Sequence, residues 1–400
     1  MIYVPSRMGQ LNRRALLRRL QKLGIASRAE LAKSLGMSQP TAGKIVDELI
    51  AADVLEEVDM AETSVGETSL RGRPGRKLRL NHSKSRLLAI QLGLQSTTVT
   101  PLALGIPDVD EWQCQFSLAP NESESARVWE NQLRAAAKKI GREDFLGALV
   151  SVPGVLDEQA NRILFSPNLH WTEKSDLAQI VRRVWKLPVL LVQEERALAL
   201  GHHLANPDCE DFLLVDFGEG VGGAIIVDGK PFANPLPISG EIGHTPVLGN
   251  SRKCGCGATG CMETLVSLRG LLESFSTATR GKKNTWPQLR EHISEKGIEP
   301  WLASSLDAAA TAIAGALNVL GLRRVFVTGS LTELPPAVMA HLSQAIESGS
   351  MWAKFGRVEC VAAPRRRTAG LIAMGIDRLI VPDSDTKSFS LQKIASRNQA

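Results

Sequence analysis

Gly240-Glu241-Ile242-Gly243-His244, followed nine residues on by Cys254-Gly255-Cys256-Gly257-Ala258-Thr259-Gly260-Cys261-Met262-Glu263, gathers three of the chain's six cysteines and one histidine into eighteen residues. One imidazole and three thiols at this spacing make a Cys₃His ligand set for a single tetrahedral zinc ion. His244, Cys254, Cys256 and Cys261 would fill all four positions. No place is left for a metal-bound water, so this zinc is expected to be structural. Gly255, Gly257 and Gly260 let the chain turn sharply enough for the thiols to converge. The alternative is a set of reduced, metal-free thiols. Six cysteines in 400 residues are too sparse for a disulfide scaffold. Cys114, Cys209 and Cys360 are scattered and are expected to be small buried hydrophobes.

Outward from this stretch, apolar strands alternate with helical segments from Arg86 onward. Strands are expected at Leu87–Leu94, Phe145–Val152, Val189–Val192, Phe212–Phe217, Ala224–Val227 and Val325–Thr328. Such alternation predicts an α/β domain, here residues 83–382. Gly218-Glu219-Gly220-Val221-Gly222-Gly223 follows a strand. Backbone N–H groups in such a loop can cradle a phosphate, although tight turns need glycine as well. The tail, residues 383–400, is polar and expected to be flexible.

A chain of 400 residues is long enough for two or three domains. With 44% hydrophobic and 22% charged residues it has a globular composition. Aromatics at 4% leave the core to aliphatic side chains. No apolar run is expected to reach the roughly 18 residues of a membrane span. Met1–Arg14 has no apolar leader core, so the expected location is the cytoplasm. The net charge is +5, and residues 1–80 hold 14 bases against 9 acids, which is the whole excess. A basic head on a neutral body suggests a polyanion partner.

Within that head, Leu11, Leu16, Leu17, Leu20 and Leu23 recur at helical spacing and end at Gly24. Ser27-Arg28-Ala29-Glu30 has the form of a capping box opening a short helix. Gly36 breaks it. A third helix starts at Ser38 with Pro40 in its first turn and an apolar face of Ile45, Leu49, Ala42 and Ile50. Two short helices across a glycine turn are a helix-turn-helix, whose second helix enters the major groove. Its first turns supply Ser38, Gln39, Thr41, Ala42 and Lys44 as candidate DNA contacts, with Gln39 able to read adenine. A plain three-helix bundle is the alternative. Val54–Val58 and Lys77–Leu80 read as strands, which makes residues 1–82 a winged helix. Arg71-Gly72-Arg73-Pro74 at the wing suits a narrow minor groove or, equally, a solvated linker.

Taken together, the two motifs around His244 and Cys254–Glu263 resemble the signature of the ROK family, which groups sugar-responsive repressors, open reading frames and sugar kinases. Ser166-Pro167-Asn168-Leu169-His170-Trp171 and the Gly218–Gly223 run support the match. The head and Gly72-Arg73-Pro74 resemble the repressor branch, as in the N-acetylglucosamine and xylose repressors. The resemblance implies an actin-like ATPase fold of two α/β lobes, a sugar in the cleft, and a homodimer or tetramer. It places effector contacts at Asn168, Gln193, Glu194, Glu241, His244 and Glu263.

Family kinases carry a pattern like D-x-G-G-T where this chain has Gln91-Leu92-Gly93-Leu94-Gln95. Glu219 adds a carboxylate to the second phosphate loop, where it would repel phosphate. The later glycine pair reads Thr328-Gly329-Ser330. A family pattern like N-D-A-N appears here as Gln193-Glu194-Glu195-Arg196, with longer side chains that would crowd the pocket. Glu194, Glu195 and Arg196 also suit a solvated helix start. These departures point to a repressor of carbohydrate-related genes with no catalytic residues and a sugar or sugar-derivative effector. The alternatives are an ATP-dependent sugar kinase with an accessory DNA-binding head and an effector-independent regulator.

Overall fold

A computed structural model describes residues 5–58, 76–105, 112–118, 125–141, 144–232, 239–280 and 284–381. These fall into two compact units. One is drawn from Met1–Val152, Asp176–Val192 and Thr368–Ala400, the other from Pro153–Ser175 and Gln193–Arg367.

The first unit opens with α1 (Pro5–Leu23), which buries Leu16, Leu17 and Leu20, while Leu11 and Leu23 remain partly exposed. Gly24 ends it at φ +73°, a conformation glycine adopts without penalty. A three-residue strand, β1 (Ile25–Ser27), follows; it is too short to show a period and doubles as the cap of α2 (Arg28–Ser34). The expected capping box is present. Ser27 Oγ accepts from Glu30 N at 3.2 Å, and Glu30 Oε2 accepts from Ser27 N at 2.6 Å. Ser38 caps α3 (Gln39–Ala51), which buries Ala42, Ile45, Val46 and Leu49. Val46 belongs to this face and Ile50 lies at its edge. Strands β2 (Leu55–Val58) and β3 (Lys77–Leu80) complete a three-stranded sheet in the order β1-β3-β2, antiparallel throughout. Three helices and this sheet form a winged-helix arrangement.

The same unit holds a five-stranded sheet. Its strands are β4 (Ser85–Leu92), β5 (Ser96–Ala103), β6 (Cys114–Ser117), β7 (Gly147–Val152) and, save its last residue, β10 (Val189–Gln193), in the order β10-β7-β4-β5-β6. β4 is antiparallel to β5 and parallel to β7. Every residue of β7 is buried, as a strand inside a covered sheet requires. Helix α4 (Ser125–Ile140) buries Trp129, Leu133, Ala136 and Ile140, one helical face. Helix α5 (Leu177–Trp185) also belongs to this unit.

The second unit begins with the hairpin β8 (Val155–Asp157) and β9 (Arg162–Phe165). Its main sheet, β11 (Phe212–Phe217), β12 (Val221–Val227), β13 (Lys230–Pro231), β14 (Arg324–Gly329) and β15 (Glu359–Ala362), runs β13-β12-β11-β14-β15. β11 is antiparallel to β12 and parallel to β14. The two five-stranded sheets therefore share one topology. The helices are α6 (Glu194–Ala205), α7 (Glu263–Val266), α8 (Leu268–Thr279), α9 (Trp286–Lys296), α10 (Pro300–Leu320) and α11 (Pro336–Gly349). Helix α12 (Arg367–Gly375), save its first residue, and a π-turn (Ile376–Ile380) belong to the first unit.

One helix bears on the expectation that no apolar run spans a membrane. By length and composition α10 is apolar enough to cross a membrane, which the count of unbroken apolar runs overlooked because Ser, Asp and Thr interrupt it. It buries Leu302, Leu306, Ala309, Ile313 and Leu317 at three- and four-residue spacing within the core of its own unit. That one-sided stripe is the pattern of a packed core helix.

Candidate functional site

The metal ligands converge. His244 Nδ1 lies 3.5 Å from Cys254 Sγ, and Cys256 Sγ lies 3.6 Å from Cys261 Sγ. All four ligand atoms fall within 4.8 Å of one another. Ligands bound at about 2.0–2.3 Å around a tetrahedral ion sit roughly 3.5–3.8 Å apart, so the set is spaced for a metal. Burial and the adjacent sulfurs push the Cys261 thiol up to about 12. A thiol so raised stays protonated unless a bound cation stabilises its thiolate. Gly257 and Gly260 supply positive φ, +90° and +89°. Gly255 serves packing instead. A Cβ at this position would collide with Pro167 O and lie 2.8 Å from Asn168 Oδ1. Its absence lets the hairpin lie against the Ser166–Asn168 segment.

From the hairpin the contacts lead to the glycine loop. Asn168 Nδ2 donates to Glu263 Oε1 at 3.3 Å, and Val221 N donates to Glu263 Oε2 at 2.9 Å. His244 Nε2 is 3.8 Å from Glu241 Oε2, and burial raises the Glu241 carboxyl. A cavity of about 480 Å³ opens beside the hairpin, lined by Asn168, Arg252, Lys253, Arg269 and Glu273 among others. Gln193 is buried at the end of β10.

The loop itself is already filled. A Cβ on Gly218 would lie 2.6 Å from Arg365 Nη2, one on Gly220 would lie 2.8 Å from Glu263 Oε2, and one on Gly222 would lie 2.5 Å from Glu195 Oε1. Each glycine makes room for an ionisable side chain of the protein. Arg365 forms a two-point ion pair with Asp216, Nε to Oδ1 at 2.7 Å and Nη2 to Oδ2 at 2.8 Å. Thr328 Oγ1 donates to the same carboxylate at 2.6 Å. Gly329 adopts φ +89° and also faces Arg365. Glu194 is held in an ion pair by Arg367, and Arg196 by Glu158.

Glu195 was not among the expected site residues, and a solvated helix start does not describe it. Its Oε2 is buried with no hydrogen-bond partner among the described residues. Burial, and then the neighbouring Glu194 carboxylate, push its own carboxyl well up. The available signal was a carboxylate where the family pattern has a small alanine.

On the head, Gln39, Thr41 and Lys44 are exposed. The Ser38 hydroxyl is spent on the cap, accepting from Thr41 N at 3.3 Å and sharing a hydrogen bond with Thr41 Oγ1 at 2.7 Å. Ala42 is fully buried and packs into the core, so it leaves the set of candidate DNA contacts. Arg71 and Arg73 lie outside the described residues. Several bases are paired with the acids that follow α3 or end it: Arg13 with Glu48, Arg28 with Asp47 at 2.6 Å, and Arg79 with Glu56 at 2.7 Å. These acids are already counted in the net charge of the head, so its excess of five is carried by other bases.

A model of the ROK family matches residues 123–376. The chain belongs to the ROK family. Over 396 residues it is 24% identical to a protein of Caldicellulosiruptor bescii named xylose repressor, covering 94% of this chain and 98% of that protein. Among solved structures, a ROK family transcriptional regulator described as a homolog of the E. coli MLC protein superposes with a TM-score of 0.70 at 20% identity, over 92% of this chain and 97% of that one. A ROK family glucokinase from Streptomyces griseus, solved with glucose and AMPPNP, superposes with a TM-score of 0.57 at 20% identity, over 72% of this chain and 97% of the enzyme. The two like sheets are thus those of the mixed α/β, actin-like ROK fold. The part of this chain the enzyme does not match leaves room for the winged-helix head.

Proposed function

We propose that this chain is a DNA-binding repressor of carbohydrate-related genes, acting in the cytoplasm, whose ROK body senses a sugar or sugar derivative and does not phosphorylate it. The observation that carries this is the filled glycine loop. Arg365, Glu263 and Glu195 occupy the space at Gly218, Gly220 and Gly222, and Glu194, at the position of the family's paired acid, is neutralised by Arg367. A carboxylate engaged by a guanidinium must first break that pair before it can reach a sugar hydroxyl. The full-length similarity to a protein named xylose repressor supports the regulatory half.

In this reading residues 1–82 form the DNA-binding domain. The exposed Gln39, Thr41 and Lys44 enter the major groove, with Ser38 setting the helix start and Arg71 and Arg73 following the minor groove. Residues 83–382 form the effector and oligomerisation domain; residues 383–400, expected as a tail, lie outside the described residues. Asn168, Gln193, Glu194, Glu241, His244 and Glu263 line the effector pocket. Zinc on His244, Cys254, Cys256 and Cys261 holds the hairpin that carries Glu263 and presses on Asn168. A homodimer would set two recognition helices about 34 Å apart on a palindromic operator.

A gel-shift assay on DNA upstream of its own locus tests this. Retarded DNA that is released by a sugar such as D-xylose is the expected result. No retardation of any such fragment, with or without sugars, counts against a repressor. Sugar-dependent ADP release with Mg²⁺ would instead make it a kinase. DNA binding with no ligand-induced thermal shift across a sugar and sugar-phosphate panel would make it effector-independent.

A further inference from the structure

Helix α12 and its π-turn carry two ion-pair systems. At one end, Arg367, the first residue of the helix, pairs with Glu194. At the other, Asp377 in the π-turn is gripped by α1. Arg18 Nε donates to Asp377 Oδ1 at 2.8 Å and Arg18 Nη2 to Oδ2 at 2.5 Å. Arg14 Nη2 donates to the backbone carbonyls of Asp377, at 3.0 Å, and Val381, at 2.7 Å. Two arginines thus serve one carboxylate and two carbonyls at a helix C-terminus, where cations are favoured. The fit behind them is close. A Cβ on Gly375 would lie 2.5 Å from Leu87 Cδ1, and one on Gly147 would lie 2.7 Å from Leu379 Cδ1. A densely packed seat of this kind shifts as a body rather than absorbing small displacements.

We propose that α12 is a lever joining Glu194 to the DNA-binding head, with the Arg14/Arg18–Asp377 clasp as its far end. Asp377 lies ten positions after Arg367, and nine of the chain's residues, from Arg367 to Gly375, form one helix. An effector that takes over Glu194 releases Arg367. The helix then moves, the clasp opens, and α1 loses the seat that holds the head in position for its operator. This rests on the repressor reading, and it goes beyond it by naming the transmitting contacts. A single exposed ion pair contributes little stability. The clasp matters because it fixes position.

The test is hydrogen exchange of α1 amides (residues 8–23) in the full-length protein, beside anisotropy on an upstream DNA fragment. Asp377→Asn and Glu194→Gln should each speed α1 exchange several-fold, with α10 unchanged. The charge-swapped pair R18E/D377K should restore protection. Where the wild type binds DNA, both single variants should weaken it about tenfold, or 1.4 kcal/mol. Should Asp377→Asn fail to fold, Arg18→Gln takes its place. Unchanged α1 exchange in Glu194→Gln overturns the lever, whatever the DNA result. Faster α1 exchange in a protein that binds no DNA sustains the lever and defeats the repressor reading.

Discussion

The two five-stranded sheets share one strand order, yet their hairpin turns have diverged. At the turn between β4 and β5, Gly93 N donates to Ser96 O at 2.9 Å, and a Cβ on Gly93 would meet only that oxygen, at 3.2 Å. Gln91, where family kinases have an acid, accepts from Thr98 Oγ1 at 3.3 Å, a neutral cross-strand contact. At the turn between β11 and β12, Gly218 N donates to Gly220 O at 2.8 Å, and every second residue to Gly222 is a glycine backed by an ionisable side chain. The first turn has one glycine and little packed against it. The Gly218–Gly223 run has four, and three of them, Gly218, Gly220 and Gly222, face Arg365, Glu263 and Glu195. Glycines in a phosphate-loop pattern are thus retained here by internal packing, and they are no evidence that phosphate binds.

The largest expected effect follows directly. If, as proposed, the body does not phosphorylate its sugar, sugar-dependent ADP release should be undetectable, on the order of 10⁴-fold below a working acid–base site. Gln91→Asp alone should not create it, since the second turn stays filled. A coupled-enzyme assay showing turnover in the wild type, abolished by Glu194→Gln, would break the comparison.

A second effect should be confined to one sheet. Cys256→Ser is expected to lower bound zinc, measured by elemental analysis, and to drop the melting of the second unit by about 10 °C, as loss of several kcal/mol would. The first unit, whose described residues hold no comparable Cys/His cluster, should melt as before. Unchanged zinc content would remove the assignment of these ligands.

How much of this was legible beforehand varies with how local the cause is. The capping box at Ser27 and Glu30, the strand Phe212–Phe217 and the metal set each depend on residues within one short stretch, and all were read from it. β5, β6, β8, β9 and β15 were not anticipated. Short strands such as Cys114–Ser117 show too few alternations to separate from loop, and Ser96–Ala103 is threonine-rich and carries a proline. The pairs Arg365–Asp216, Arg367–Glu194 and Arg18–Asp377 join residues 149, 173 and 359 positions apart. Nothing local announces them, and they are what reshapes the site. Ala42 was placed both on the apolar face of α3 and among the DNA contacts; the structure keeps only the first, since Ala42 is buried at helical spacing with Ile45, Val46 and Leu49.

The smallest expected effect sets the two turns against each other. Gly222→Ala places a methyl group 2.5 Å from Glu195 Oε1 and 2.7 Å from its Cδ, beside a side chain that is itself closely surrounded. Overpacking of this kind costs about 1–3 kcal/mol. Gly93→Ala meets one backbone oxygen at 3.2 Å and has no positive φ to support, so it should cost under about 1 kcal/mol. Chemical denaturation of each variant, followed by the double variant G222A/E195A, measures the difference. If shortening Glu195 rescues Gly222→Ala, the second turn is held by its internal occupant. If both glycines tolerate alanine equally, the occupants do not explain why the second turn keeps its glycines, and the contrast between the sheets reduces to their shared backbone.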